Sequence, residues 1–137
     1  MKVPKILIVD DEENQMMDIK LFLEKRINCE IVAMCNNCED AMQIIKAKKI
    51  DVLLQDLKFP TKIQGYQVID YVRKEKPDTI VLIISIWDDP DYMKSIEKAG
   101  SVYFIPKPLS LTEILIRLKT AFDLRGGFDY RTKNITI

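Results

Sequence analysis

The stretch Leu7-Ile-Val-Asp-Asp-Glu-Glu13 sets four carboxylates directly behind an apolar run. Like charges so close repel unless solvent, a lysine or a metal offsets them. Other reactive residues follow apolar runs further along: Asp56 after Val52-Leu53-Leu54-Gln55, Ser85 after Ile80–Ile84, and Lys107 after Phe104-Ile105-Pro106. If they met, Asp10, Asp11 and Asp56 would hold a hard, oxygen-seeking cation such as Mg²⁺, which takes few protein ligands and keeps several waters. Lys107 would offer a mobile point charge to a phosphate oxygen, and Ser85 a hydroxyl donor to another. An ionised Asp56 could then attack phosphorus and form an acyl phosphate, while the other groups spread the charge of the transferring phosphoryl.

Such chemistry needs elements that bring these residues to one place. Short β-branched runs at Lys5–Val9, Glu30–Met34, Asp51–Gln55, Thr79–Ile84 and Val102–Ile105 read as buried strands. Between them, helical spacing appears in Asn14–Arg26 (Met17, Ile19, Leu21, Phe22), Glu39–Ala47, Tyr66–Lys74 after Gly65, and Tyr92–Lys98 closed by Gly100. A last helix opens at Ser110, with Glu113 completing a capping box, and runs through Phe122. Strict β/α alternation predicts an α/β domain: an open, doubly wound, five-stranded parallel sheet with five helices. In such a sheet ligands bind outside the carboxyl ends of the strands, which is where Asp10, Asp11, Asp56, Ser85 and Lys107 fall. The expected domain covers 1–125, and Gly126-Gly127 begins a tail or linker over 126–137.

The chain has 137 residues, 47% of them hydrophobic, enough for one core. Lys+Arg and Asp+Glu balance at 21 each, which argues against a nucleic-acid-coating or membrane-binding surface. The apolar run from Ile80 to Trp87 is too short for a membrane span, and the run after Met-Lys-Val-Pro-Lys too short for a signal-peptide core, so a cytoplasmic location is expected. There is no histidine, which removes imidazole-based triads and the commonest general base, and no glycine-rich phosphate loop. Cys35-Asn-Asn-Cys38 has redox or zinc spacing, but no second pair exists; with Cys29 these read as reduced thiols around a buried strand.

Asp10-Asp11, Asp56, Ser85 and Lys107-Pro108, in this order and each at the end of a different expected strand, resemble the response-regulator receiver domain of two-component signalling. The resemblance covers about residues 4 to 124 and implies a flavodoxin-like (βα)5 fold. It implies that Asp56 is the phosphoacceptor and that Asp11, Asp56 and the backbone carbonyl of Lys58 bind Mg²⁺, with Asp10 reaching the metal through water. Ser85 and Lys107 would contact the attached phosphoryl group, Phe104 would be the aromatic switch that turns with Ser85, and the Lys107–Pro108 bond would be cis. The implied partners are a histidine kinase or histidine phosphotransfer protein, and a downstream protein or output domain; a phosphorylation-dependent dimer is one arrangement. No direct nucleic-acid or membrane contact is implied. The domain is then a signalling switch that assists its own phosphorylation, not an ordinary enzyme.

Some positions depart from the family pattern. The residue after Ser85 is usually small; here it is Ile86, followed by Trp87, which predicts slower exchange of the phosphoryl group with small donors and water. The loop from Asp56 to Gly65 looks one residue longer than is typical, Leu109 replaces a common aromatic, and Gly100–Tyr103 lacks the acidic pair of the subfamily that dimerises through its fourth helix, fifth strand and fifth helix. One rival reading is a receiver-like scaffold that is never phosphorylated. Another is a Mg²⁺-dependent phosphohydrolase, but such enzymes place a second acid two residues beyond the nucleophile, where this chain has Lys58.

Overall fold

The computed structural model describes residues 1–57, 62–86, 90–97 and 101–131. Within them five strands alternate with five helices: β1 (Lys5–Val9), α1 (Glu13–Arg26), β2 (Glu30–Cys35), α2 (Cys38–Ala47), β3 (Val52–Asp56), α3 (Lys62–Glu75), β4 (Ile80–Ser85), α4 (Pro90–Glu97), β5 (Val102–Pro106) and α5 (Leu111–Arg125). The strands pair in parallel in the order β2-β1-β3-β4-β5. This is the doubly wound sheet that the alternation predicts. Chain order reverses at β1, whose neighbours are β2 on one side and β3 on the other, and such reversals open a crevice at the strand ends.

Side-chain alternation along the strands sorts the core into two layers. Ile6, Ile8, Val52, Leu54, Leu82 and Ile84 face α1 and α5, where they meet Met16, Ile19, Leu23, Ile114, Leu118 and Phe122. Leu7, Val9, Leu53, Val81, Ile83 and Phe104 face α2, α3 and α4. The central strands β3 and β4 are buried along their whole length, which explains their unbroken apolar runs. The edge strand β2 is only half-buried through most of its length.

Three local features differ from expectation. The buried stripe of α1 is Met16, Ile19 and Leu23, while Met17 and Leu21 are exposed; with apolar residues at 16, 17, 19, 21, 22 and 23, periodicity alone left the phase of the helix open. Helix α3 begins at Lys62 rather than after Gly65, so the glycine lies inside it. A Cβ there would stand 2.4 Å from Leu57 Cδ2, so Gly65 marks a close approach of α3 to the end of β3, not a helix stop. Helix α4 starts two residues earlier than expected, with Pro90 at its first position, where the missing N–H is no loss. The expected cap holds at α5, where Ser110 Oγ accepts from Glu113 N at 3.2 Å; at the start of α2 Asn37, for which the sequence carried no such expectation, does the same for Asp40 N.

Beyond α5 the chain turns through Gly126 and Gly127, both at positive φ, and packs back on the fold. Lys2 N donates to Gly127 O, Asp129 N to Lys2 O, and Asn28 N to Tyr130 O, at 2.7 to 2.9 Å. Phe128 is buried, and the rings of Phe128 and Tyr130 lie 4.9 and 5.1 Å from that of Phe122. Lys58, Trp87, Gly100 and residues 132–137, all used in the sequence reading, lie outside the described residues.

Candidate functional site

The sheet register puts the reactive residues on one rim. Val9 pairs with Gln55, so Asp10 follows β1 beside Asp56, the last residue of β3. Asp56 pairs with Ile84, and Ser85 with Pro106, which brings Ser85 and Lys107 to the neighbouring strand ends. Lys107 N also donates to Ser85 O at 2.8 Å, and the Lys107–Pro108 bond is cis.

At this rim the carboxylate oxygens of Asp10, Asp11 and Asp56 lie within 4.8 Å of one another. Asp10 and Asp56 are buried, at 3% and 8% exposure, whereas Asp11 is open to solvent. Lys107 Nζ stands 2.7 Å from Asp56 Oδ1. Asp10 Oδ1 accepts the backbone N–H of Glu12 at 3.0 Å and so also helps start α1, while Glu12 and Glu13 are themselves exposed. Burial pushes the Asp56 carboxyl up from an ordinary 3.8 to about 6; the Lys107 ammonium opposes that rise and the neighbouring Asp10 carboxyl adds to it.

The donor set is oxygen only, crowded with negative charge and open on the Asp11 side. It fits a Mg²⁺ ion that keeps several of its waters, and the ion would relieve the repulsion that the sequence poses. A cavity of about 550 Å³ adjoins the three acids, with Cys38, Gln55 and Gln64 also on its wall. It leaves room for a phosphoryl group and its donor.

The remaining expected residues fall as follows. Ser85 is buried at the end of β4. Phe104 is buried, at 7% exposure, in the layer that holds Met93 and Ile96 of α4. Ile86 follows Ser85 with 60% of its surface exposed. Cys29, Cys35 and Cys38 are free thiols, and burial raises Cys35 and Cys38 above the usual thiol range, which disfavours the thiolate that redox or metal chemistry requires.

Two amides escaped the sequence reading. Gln15, on the first turns of α1, donates its Nε2 to Asp10 Oδ2 and, at 3.4 Å, to Asp56 Oδ2. Gln55 is buried and donates to Asp56 O at 3.1 Å. A polar residue one position before Asp56, in an otherwise apolar strand, was the visible sign of the second; Gln15 gave no sign without the helix geometry.

The sheet order and the rim place the chain among doubly wound α/β domains that carry an acidic pocket at the strand ends. The chain belongs to the response regulator receiver domain family, which it matches over residues 6–119. It is 26% identical over 118 residues to the oxygen regulatory protein NreC of Staphylococcus epidermidis, covering 86% of this chain and 54% of that protein. It is 27% identical over 123 residues to the transcriptional regulatory protein DegU of Brevibacillus brevis, covering 90% and 51%. The chain thus spans about half the length of these curated relatives. Among solved structures, a response regulator from Thermotoga maritima aligns with TM-score 0.72 at 29% identity, covering 88% of this chain and 98% of that one. A CheY-like receiver domain protein from Methanospirillum hungatei shares the fold with TM-score 0.77 at 21% identity, covering 90% and 97%. Among the described residues no helix is long and apolar enough to cross a membrane.

Proposed function

We propose that this receiver domain accepts a phosphoryl group on Asp56 from a histidine kinase or histidine phosphotransfer protein, in the cytoplasm, and that the modified carboxylate switches a protein-interaction surface. The observation that carries the reading is the joint geometry of three carboxylates within 4.8 Å and Lys107 Nζ 2.7 Å from Asp56. Asp56 Oδ attacks phosphorus, the P–N bond to the donor imidazole breaks, and an acyl phosphate forms. Lys107 then moves from the carboxylate to a phosphoryl oxygen, and the Ser85 hydroxyl donates to another. Asp10, Asp11, Asp56 and the Lys58 carbonyl would hold Mg²⁺, which supplies charge neutralisation for the incoming phosphoryl oxygens.

The consequence is a population shift rather than turnover. Drawing Lys107 and Ser85 toward a phosphoryl group alters the ends of β4 and β5, and Phe104 lies on β5 against α4. Ser85 and Phe104 therefore form the switch, and the surface of α4, β5 and α5 is what a downstream protein or output domain reads. A phosphorylation-dependent dimer would use the same change. Residues 126–137 then form a tail, or the start of a linker, whose first part packs against α5.

The test is intact-mass measurement after incubation with acetyl phosphate and Mg²⁺. One phosphoryl adduct on the wild type, absent in Asp56→Asn and absent without divalent ion, is the expected result. No adduct under any condition would favour a receiver-like scaffold that works unmodified.

A further inference from the structure

We infer that Gln15 is a positioning residue that competes with the metal: its side-chain amide bridges Asp10 and Asp56 and must withdraw for an ion to bind between them. The inference rests on the Mg²⁺ site of the preceding proposal. Gln15 Nε2 donates to Asp10 Oδ2 and, at 3.4 Å, to Asp56 Oδ2, so one nitrogen sits between two of the three carboxylates. The other oxygens of those residues are engaged elsewhere, Asp10 Oδ1 by Glu12 N and Asp56 Oδ1 by Lys107 Nζ. The Gln15 amide therefore engages the second carboxylate oxygen of each residue.

The physical logic is substitution of one positive pole for another. Two buried carboxylates at this separation repel, and an N–H donor shared between them lowers that repulsion without bringing a full charge. A cation that enters between Asp10, Asp11 and Asp56 draws on the same lone pairs, directly at Asp56 and through one of its waters at Asp10. The binding free energy is then reduced by whatever the Gln15 hydrogen bonds contribute to the metal-free state. Gln15 is well placed to act this way because it projects from the beginning of α1, and the hydrogen bond from Glu12 N to Asp10 Oδ1 ties the turn just before that helix to the acids. A long apolar side chain could fill the same space and offer no donor.

The prediction has a sign. Gln15→Met, which keeps length and removes both donors, raises the free energy of the metal-free acid cluster and leaves the metal-bound form little changed. Titration calorimetry with MgCl2 on the full chain should give a Kd about three- to tenfold lower than that of the wild type, the range expected for the net contribution of one ordinary hydrogen bond. The variant should also melt at a lower temperature without Mg²⁺ and gain more from added Mg²⁺ than the wild type does. An unchanged or weaker Kd would overturn the inference, the weaker one because it would mean that Gln15 supports the bound ion.

A second measurement holds even if Gln15→Met does not fold. In ¹⁵N-labelled wild-type protein the Gln15 side-chain NH2 resonances should shift on Mg²⁺ addition, in parallel with the backbone amides of Asp10 and Asp11. Side-chain resonances that stay in place while the Asp10 and Asp11 amides saturate would reject the competition and leave the Mg²⁺ site standing. A wild type whose resonances and calorimetry show no uptake of Mg²⁺ at all would remove both.

Discussion

Lys107 Nζ and Asp56 Oδ1 form a 2.7 Å ion pair that reaches over the end of β4, joining the end of β3 to the residue that follows β5. Asp56 is almost wholly buried, so the pair holds a charge that would otherwise stand uncompensated beside Asp10. Lys107→Ala should therefore lower stability near pH 7.5 by about 1–3 kcal/mol, less than for a fully buried pair because Lys107 keeps some solvent contact. In an Asp56→Asn background the same change should have much less effect. Urea unfolding of the four proteins measures this, and additive losses would show that the two groups do not interact.

The raised Asp56 pKa has a direction in pH. The folded value, about 6, exceeds the ordinary 3.8, so the folded state binds more protons between them and loses stability as pH rises through that window. At about 1.4 kcal/mol per pH unit, the effect between pH 4 and pH 7 is on the order of 3 kcal/mol. In Mg²⁺-free buffer Asp56→Asn should thus gain stability relative to the wild type as pH increases over this range. A difference in melting temperature that does not change with pH would contradict the shift.

Gly65→Ala should destabilise the fold by about 1 kcal/mol, although alanine is the better helix former. The propensity gain of about 1 kcal/mol is outweighed by overpacking of about 1–3 kcal/mol, because the new Cβ would stand 2.4 Å from Leu57 Cδ2 and Leu57 is itself buried. Combining the change with Leu57→Ala should remove that penalty, so the double variant is more stable than the sum of the single losses. Chemical denaturation of the set checks the non-additivity.

If Asp56 is phosphorylated as proposed, Ile86 should bear on how long the phosphoryl group lasts. The family usually has a small residue after Ser85, and a branched one there would narrow the approach to Asp56 for water and small donors. Ile86→Ala should lose its phosphoryl group several-fold faster, about what removing a modest steric barrier of 1 kcal/mol gives. Decay of the intact-mass adduct over time reads the two rates, and equal or slower decay in the variant would dismiss the steric role.

Where the sequence was legible, the reason is burial. β3 and β4 are enclosed on both faces, so their apolar runs are unbroken and their ends carry Asp56 and Ser85 into view. Elements with a free face were harder: α1 has more apolar residues than it buries, and its phase emerged only with the packing of Met16, Ile19 and Leu23. Gly65 resembles a helix stop in sequence because the reason for it, Leu57, arrives from a strand in three dimensions. The acids and Lys107 could be read because each lies at or just beyond the end of a strand. Gln15 could not, since an amide on an amphipathic helix looks like any solvent-facing residue until the helix is docked.

The turn after α5 has a further meaning. Lys2 donates its backbone N–H to Gly127 O and accepts from Asp129 N, and Asn28 N donates to Tyr130 O. Termini ordinarily peel away independently. Here, fraying begun at Lys2 has to release Gly127 and Asp129, and fraying begun at Tyr130 uncovers Phe122 in the core. Lys2 and the segment from Gly127 to Tyr130 form one latch at the end of the sheet away from the carboxylates, so their amides should exchange with solvent together, as a single opening event.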